Sequence, residues 1–259
     1  MSGENSRFTS DRRTLSEARW SDRADWDAGT AEYVDTTSDR LVARPPIEVG
    51  EMPESAIWRV RAADLALSDG QEVSTWSDAI GSNDLVAQGT EPPIYREDVV
   101  NGYPGVEFIP SRDDEMYAVG LTASSLTAYI YVVDFNVKDT STHRYFTDGI
   151  NERQICAQID NAQTHRGIGM WAESNSWQRS SAYSSSPSII TYNFSANEIK
   201  LNGSVVVSGD PGSGSLDGLK LGPGSTDGVA VDLTLLDSPT ASEVTEAEAL
   251  VSNKYGIAI

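Results

Sequence analysis

Residues 198–259 read EIKLNGSVVVSGDPGSGSLDGLKLGPGSTDGVAVDLTLLDSPTASEVTEAEALVSNKYGIAI. Ile199 and Leu201 alternate with Glu198, Lys200 and Asn202, and the alternation runs into Asn202-Gly203. That pattern predicts a strand and a tight hairpin, because Asn and Gly tolerate the positive φ such a turn requires. Residues 204–208 are then the return strand. Val229, Val231, Leu233 and Leu235 alternate with Ala230, Asp232 and Thr234, which predicts a strand with one buried face. Beyond it Thr240 is placed to cap a helix, with Glu243 three residues on, the spacing of a capping box. Val244, Ala247, Leu250, Val251 and Tyr255 recur at helical spacing, and Gly256 is placed to stop the helix.

Working outward, residues 57–121 hold short apolar runs broken by Asp69-Gly70, Gly81-Ser82-Asn83, Pro92-Pro93 and Asn101-Gly102, the punctuation of many short strands. Residues 126–135 are the strongest strand. Leu126, Ala128, Ile130 and Val132 line one face, and Tyr129, Tyr131, Val133 and Phe135 the other. A strand apolar on both faces must be covered on both, which predicts a central place in a layered sheet. Residues 143–146, 155–159, 167–171 and 188–194 follow as further strands. Trp58 and Trp76 read as packing residues.

The ordered series resembles a known family. Trp58-Arg-Val-Arg-Ala-Ala-Asp64, Ser68-Asp-Gly70, Trp76-Ser-Asp78 and Asn101-Gly-Tyr-Pro-Gly-Val-Glu-Phe108 come first. Leu201-Asn-Gly203, Leu219-Lys-Leu-Gly222, Val231-Asp-Leu-Thr-Leu-Leu-Asp237 and Lys254-Tyr-Gly-Ile257 follow. Together they are similar to a concanavalin A-like (LamG-type) jelly-roll domain over residues 57–259. The resemblance implies an all-β jelly-roll sandwich with one C-terminal helix at 56–259, and a binding-module habit rather than a reaction. The β-glucanases that share this fold carry Glu-x-Asp-x-x-Glu on one strand, and no such pattern occurs here. The expectation is therefore a protein that is not an enzyme.

Thirty-nine acidic residues against nineteen basic ones give a net charge of −20 over 259 residues. Such a chain does not bind nucleic acid by neutralising phosphates. Four lysines stand against fifteen arginines, and the acids are dispersed. That composition suits a halophilic protein, whose self-repulsion is screened in concentrated salt; an ordinary acidic surface domain is the other reading. Cys156 is the single cysteine, so the chain forms no disulfide within itself. Cys156 faces away from Ile155, Ala157 and Ile159 and reads as structural. The start shows no apolar run of a signal peptide, and no segment reaches the ~18 apolar residues of a membrane span. These points predict no membrane insertion and synthesis in the cytoplasm without an export signal.

Residues 1–55 differ from the rest. They are rich in Arg, Asp, Ser and Thr, with Trp20, Trp26 and Tyr33 as isolated large anchors. Arg44-Pro45-Pro46 fixes an extended connector. So few apolar residues do not build a core, which predicts an irregular arm docked on a partner or a small annex to the sandwich.

In residues 171–187, WAESNSWQRSSAYSSSP, the aromatics stand among hydroxyl, amide and guanidinium groups without a clean period. Trp171, Asn175, Trp177, Arg179 and Tyr183 are the candidates for a glycan-binding surface. The aromatic faces supply apolar area at low entropy cost, and the polar groups fix orientation. The alternative is a hairpin whose rings cover the sandwich edge. Asp113, Asp114 and Asp134 are a weaker candidate set for calcium, a hard cation that wants several oxygens. His143 and His165 lack metal-ligand spacing, and Asn193-Phe-Ser195 and Asn202-Gly-Ser204 match glycosylation sequons. A β-rich adhesin-like chain without an export signal points to a virion surface protein: a fibre, spike or capsid turret contacting host glycans. Its partners would be other virion proteins and itself, as a cyclic trimer or pentamer held through residues 1–55. The alternative is a carbohydrate-binding module of a cell-surface or secreted protein.

Overall fold

The computed structural model describes residues 34–35, 40–41, 51–134, 143–150, 154–161, 165–173, 177–182, 187–222 and 228–259. The chain divides into two compact units, Met1–Val49 and Gly50–Ile259. In the first, β1 (Val34–Asp35) and β2 (Arg40–Leu41) pair antiparallel. Trp20, Trp26 and Tyr33 lie outside the described residues.

The second unit begins with β3 (Ala56–Arg61), β4 (Thr75–Trp76), β5 (Leu85–Ala87), β6 (Ile94–Val100), β7 (Tyr103–Phe108), β8 (Met116–Ala123) and β9 (Thr127–Asp134). Then come β10 (His143–Gly149), β11 (Ile155–Asn161), β12 (His165–Trp171), β13 (Gln178–Ser180), β14 (Ser188–Asn193) and β15 (Glu198–Leu201). β16 (Ser204–Ser208), β17 (Leu216–Leu221), β18 (Gly228–Asp237) and helix α1 (Ala241–Tyr255) complete it. They form two antiparallel sheets. Sheet 1 has the order β13-β12-β11-β10-β17-β8-β5-β4, and sheet 2 the order β16-β15-β14-β9-β18-β7-β6, with β3 also on β18. The Asn202-Gly203 turn joins β15 to β16 with φ of 47° and 73°, as the sequence requires.

β9 lies between β14 and β18, the central place its two apolar faces predict. Tyr129, Tyr131 and Val133 enter the core between the sheets, whereas Ala128, Ile130 and Val132 join Val244, Ala247, Val251 and Tyr255 of α1 on the outer face of sheet 2. The sheets are tied by buried hydroxyls as well as apolar area. Tyr131 Oη and Thr147 Oγ1 are 2.6 Å apart, and Tyr192 Oη donates to the Ala157 carbonyl at 3.1 Å. Gln154, fully enclosed, accepts from Tyr129 Oη and Thr127 Oγ1 and donates to the Gly214 carbonyl. In a low-dielectric interior each such group must be paired, so these bonds fix how one sheet sits on the other.

β18 departs from its simple alternation. It is buried on both faces, by the core between the sheets on one side and by α1 on the other, and its alternation is reset once, where the register shifts between Ala230 and Asp232. The extra residue moves the following side chains to the other face. Leu233 and Leu235 therefore point between the sheets, while Val231 and Leu236 meet α1. Asp232, read as a solvent-side residue, is wholly enclosed. Arg59 Nε and Nη2 grip its oxygens at 2.9 and 2.6 Å, Tyr255 Oη donates at 2.7 Å, and Lys254 Nζ stands 3.7 Å away. Burial pushes the Asp232 carboxyl up, and the Arg59 charge and hydrogen bonds, Lys254 and Tyr255 override it, so the group is held below the usual carboxylate range.

The helix itself forms as its sequence predicts. Glu243 N donates to Thr240 Oγ1 at 3.3 Å, and Glu243 Oε2 accepts from Thr240 N at 2.8 Å, which closes the capping box. Gly256 ends it in the left-handed region at φ 65°. Asp232→Asn should cost about 3–5 kcal/mol of folding stability, because it leaves Arg59 and Lys254 buried without their counter-charge. Urea denaturation of the variant against the parent reads this directly; a loss below ~1 kcal/mol would show that the ion cluster is not what seats the helix.

Candidate functional site

The outer faces of the two sheets are unlike. Sheet 2 carries α1, whereas the apolar cluster described on the outer face of sheet 1 is small: Ile155 and Ala157 with Trp171 and Trp177. The strand periodicity explains the placement. Cys156, Ile168 and Met170 turn inward to the core, so Ile155, Ala157, Gly169 and Trp171 turn outward. The Trp171 and Trp177 rings stack with centroids 6.4 Å apart and planes 27° off parallel. Both are half-buried. Trp177 lies over Gly169, where an added Cβ would stand 3.4 Å from the ring's Cε3. A methyl at 169 would just touch the ring, and a longer side chain would compete with it for the same space.

β13 is held against the segment after β16 by Gln178 Nε2, which donates to the Asp210 carbonyl at 2.8 Å. Ala172 N likewise donates to the Pro211 carbonyl at 2.7 Å. The backbone under both tryptophans is thereby braced from two sides. Arg179 pairs with Gly169 across β12 and β13, is exposed, and carries its guanidinium carbon 5.8 Å from the Trp177 ring centroid. Three of the five sequence-predicted glycan residues thus converge: Trp171, Trp177 and Arg179. Asn175 and Tyr183 lie outside the described residues.

The face extends further than the sequence reading placed it. Cross-strand register runs from Trp171 to Ile155, Asp148, Lys220, Tyr117 and Val86, on β12, β11, β10, β17, β8 and β5. Five interstrand spacings of ~4.8 Å make this row about 24 Å long. Val86 and Val119 are 42% and 69% exposed at its far end, and Lys220 Nζ sits 5.8 Å from the Tyr117 ring centroid. The Tyr117 hydroxyl is pushed up to about 12, first by burial and then by its 2.6 Å hydrogen bond to Glu115. Sequence reasoning missed Lys220 and Tyr117. Their alternation with Leu219, Leu221, Met116 and Ala118 was legible, but pairing β17 with β8 needs a register between segments a hundred residues apart.

The aspartates proposed for calcium are placed apart in role. Asp113 occupies the left-handed region at φ 56°, with Oδ2 accepting from Thr90 Oγ1. Asp114 is enclosed, with Oδ2 accepting from Ile109 N at 3.0 Å and 3.8 Å from Arg112 Nε. Asp134 closes β9 opposite Val229. Among the described residues no group of three or more His, Cys, Asp or Glu side chains is placed to hold a metal ion. Cys156 is a core residue whose thiol is pushed well up by burial, which removes the thiolate a nucleophile needs. The sequon asparagines are engaged within the fold: Asn193 Oδ1 accepts from Ala196 N, and Asn202 Oδ1 from Ile189 N. No helix among the described residues is long and apolar enough to cross a membrane.

No family model matches the sequence, and no curated protein matches it. Solved structures do. Domain 4 of a GH43 extracellular arabinanase from Geobacillus stearothermophilus, in complex with arabinotriose, overlays at a TM-score of 0.52 and 14% identity, over 74% of this chain and 98% of that one. The fold is a jelly-roll β-sandwich. A GH54 α-L-arabinofuranosidase soaked with a cyclic sulfate inhibitor overlays at 0.49 and 12% identity, over 82% of this chain and 61% of that one. The receptor-binding domain of botulinum neurotoxin D gives 0.40 and 10%, over 76% and 52%. This chain thus spans less than two thirds of either, and at those scores neither adds to the assignment.

One titratable group in the sandwich has a pH signature. Burial pushes the Asp114 carboxyl up to about 6, against the Ile109 amide and Arg112, which pull it down. A carboxyl raised in the folded state contributes stability that is full below its unfolded value near 4 and is lost as pH rises through about 6. Asp114→Asn keeps the acceptor for Ile109 N and removes the charge. Relative to the parent, the variant should therefore gain about 1.4 kcal/mol between pH 5 and pH 7.5. Denaturant titration at the two pH values tests this; parallel profiles would show that Asp114 is already ionised at pH 5.

Proposed function

We propose that this chain is a non-catalytic glycan-binding jelly-roll module that reads sugars on the outer face of sheet 1. The observation that carries the proposal is the stacked, half-buried Trp171–Trp177 pair, with Trp177 beside Gly169 on a braced strand. A packing residue is enclosed by the body, as Trp58 and Trp76 are at 0% exposure. Trp171 and Trp177 instead keep ring surface open beside the Arg179 guanidinium and the face's polar row. Flat apolar area next to hydrogen-bonding groups matches a sugar ring, which has C–H patches and an equatorial rim of hydroxyls. The arabinanase domain of the same fold is seen with arabinotriose; the support here is this chain's own surface.

The test is binding, not turnover. Trp171→Ala with Trp177→Ala should leave the fold intact and weaken retention on immobilised host-surface glycans at least tenfold, since buried aromatic anchors contribute ~2 kcal/mol or more each. Circular dichroism and affinity electrophoresis together decide the matter. An unfolded double variant would make the rings a structural cover, and a folded one with unchanged retention would move the site elsewhere.

The virion placement is a second, narrower proposal, supported by the composition of residues 1–55 alone. Trp20, Trp26 and Tyr33 offer large surfaces with few apolar neighbours in sequence. A weak single site gains avidity when several copies project together as a trimer or pentamer. A chain lacking residues 1–55 should stay folded and monomeric and should fail to enter particles. Incorporation at the parental level would end that reading and leave the glycan site untouched.

A further inference from the structure

The distribution of positive charge over the described side chains is uneven. Arg59 is paired with Asp232 and Arg61 with Asp64 at 2.6 Å. Arg96 is paired with Glu107 at 2.6 Å, and Arg112 with Glu91 at 2.8 Å and Glu72 at 3.1 Å. Lys200 lies 3.2 Å from Glu248 and Lys254 3.7 Å from Asp232. Of the cations whose side chains are described, two have no ion pair among the described residues, Arg179 and Lys220. Both stand on the outer face of sheet 1, and each is held 5.8 Å from an aromatic ring centroid. In a chain with 39 acidic and 19 basic residues, a carboxylate partner is the default for an exposed cation. That both exceptions fall on the aromatic face is the second observation that face carries.

The two cations are not equivalent. Asp148 is Lys220's cross-strand partner in register, 8% exposed, and Glu115 holds the Tyr117 hydroxyl close by. The Lys220 end is therefore balanced by neighbouring acids. The residues beside Arg179 in sequence and register, Gly169, Trp177, Gln178 and Ser180, are not acidic, and Asp210, whose carbonyl accepts from Gln178 Nε2, makes no ion pair with it. A guanidinium held against an indole face keeps its N–H edges free, and those edges match two coplanar acceptor oxygens. The indole contact also lowers the entropy lost when an anion binds.

Resting on the glycan-binding reading, we infer that the ligand of this face is an anionic glycan. Sugar rings lie on Trp171 and Trp177, and a carboxylate of the chain pairs with Arg179. Lys220, four strands and roughly 19 Å away along the same face, lies within reach of a further acidic unit of an extended polymer. A sulfated glycan offers the same oxygen chemistry, and the probes below separate the two.

The experiment uses the full chain in affinity electrophoresis against polygalacturonate, alginate, hyaluronan and polysialic acid, each beside its carboxyl-reduced counterpart, with dextran sulfate beside dextran. The parent should bind at least one carboxylate polymer about tenfold more tightly than its reduced form, the scale of one charge-assisted contact. Arg179→Gln should abolish that preference, so that the charged polymer and its reduced counterpart are retained equally. Arg179→Lys should restore part of it, and Lys220→Gln should reduce it only on long chains. Preference for dextran sulfate alone would reassign the anion to sulfate and overturn the carboxylate assignment. Equal binding of charged and reduced polymers, abolished by Trp171→Ala with Trp177→Ala, would overturn the anionic inference and leave the glycan reading standing. No retention on any polymer would end both.

Discussion

Asp232 is a carboxylate with no exposure, under a helix, in the middle of the longest strand. Its cost is offset only because Arg59 from β3, Tyr255 and Lys254 from α1 all converge on it. One charge thus joins the first strand of the sandwich, its central strand and its final helix, segments separated by up to 196 positions. The cluster also sets the register of the helix on sheet 2, since Tyr255 and Lys254 must reach the same oxygen from adjacent positions. Apolar packing of Val244, Ala247 and Val251 drives the helix down. The ion cluster specifies where it lands.

That docking has a consequence on the opposite side of the molecule. A two-sheet sandwich has two outer faces, and one helix covers one of them. The other can then carry side chains selected for something besides packing. The outer row of sheet 1 shows this selection: Trp171 at one end and Tyr117 near the other, charged groups between, and a glycine beneath Trp177 where a strand would ordinarily carry a β-branched residue. On sheet 2 the corresponding outward positions of β9 are Ala128, Ile130 and Val132.

How much of this was legible depends on the range of the interaction. The helix and its capping box, the Asn202-Gly203 hairpin, and the two-faced character of β9 are set by residues within about ten positions of one another, and all read correctly. β18 read as a strand, but its burial was misjudged because one bulge resets the alternation and α1 covers the second face, and both are imposed by neighbouring elements rather than by local sequence. Trp171, Trp177 and Arg179 were visible because they crowd into nine residues of polar composition. Lys220 and Tyr117 were not, since an isolated Lys between leucines looks the same on any strand with one outward face. The ion-pair partners of the other cations, 3 to 173 positions distant, were equally invisible, and only with them in place does the exception of Arg179 and Lys220 emerge.

The net charge of −20 bears on this face in a way that local geometry alone does not convey. At low ionic strength the summed field of the chain repels an approaching polyanion, so two isolated cations would be outweighed by distant carboxylates. Long-range repulsion decays over a Debye length of ~8 Å at 0.15 M salt and ~3 Å at 1 M. Contacts made within hydrogen-bond distance of Arg179, partly shielded by the indole, are screened far less. Raising salt therefore removes the unfavourable long-range part before the favourable short-range part. On the proposed reading, an acidic module with a local cationic aromatic patch would gain selectivity for an anionic ligand where the solution is concentrated, the reverse of a uniformly basic binder, whose affinity falls with every increment of salt.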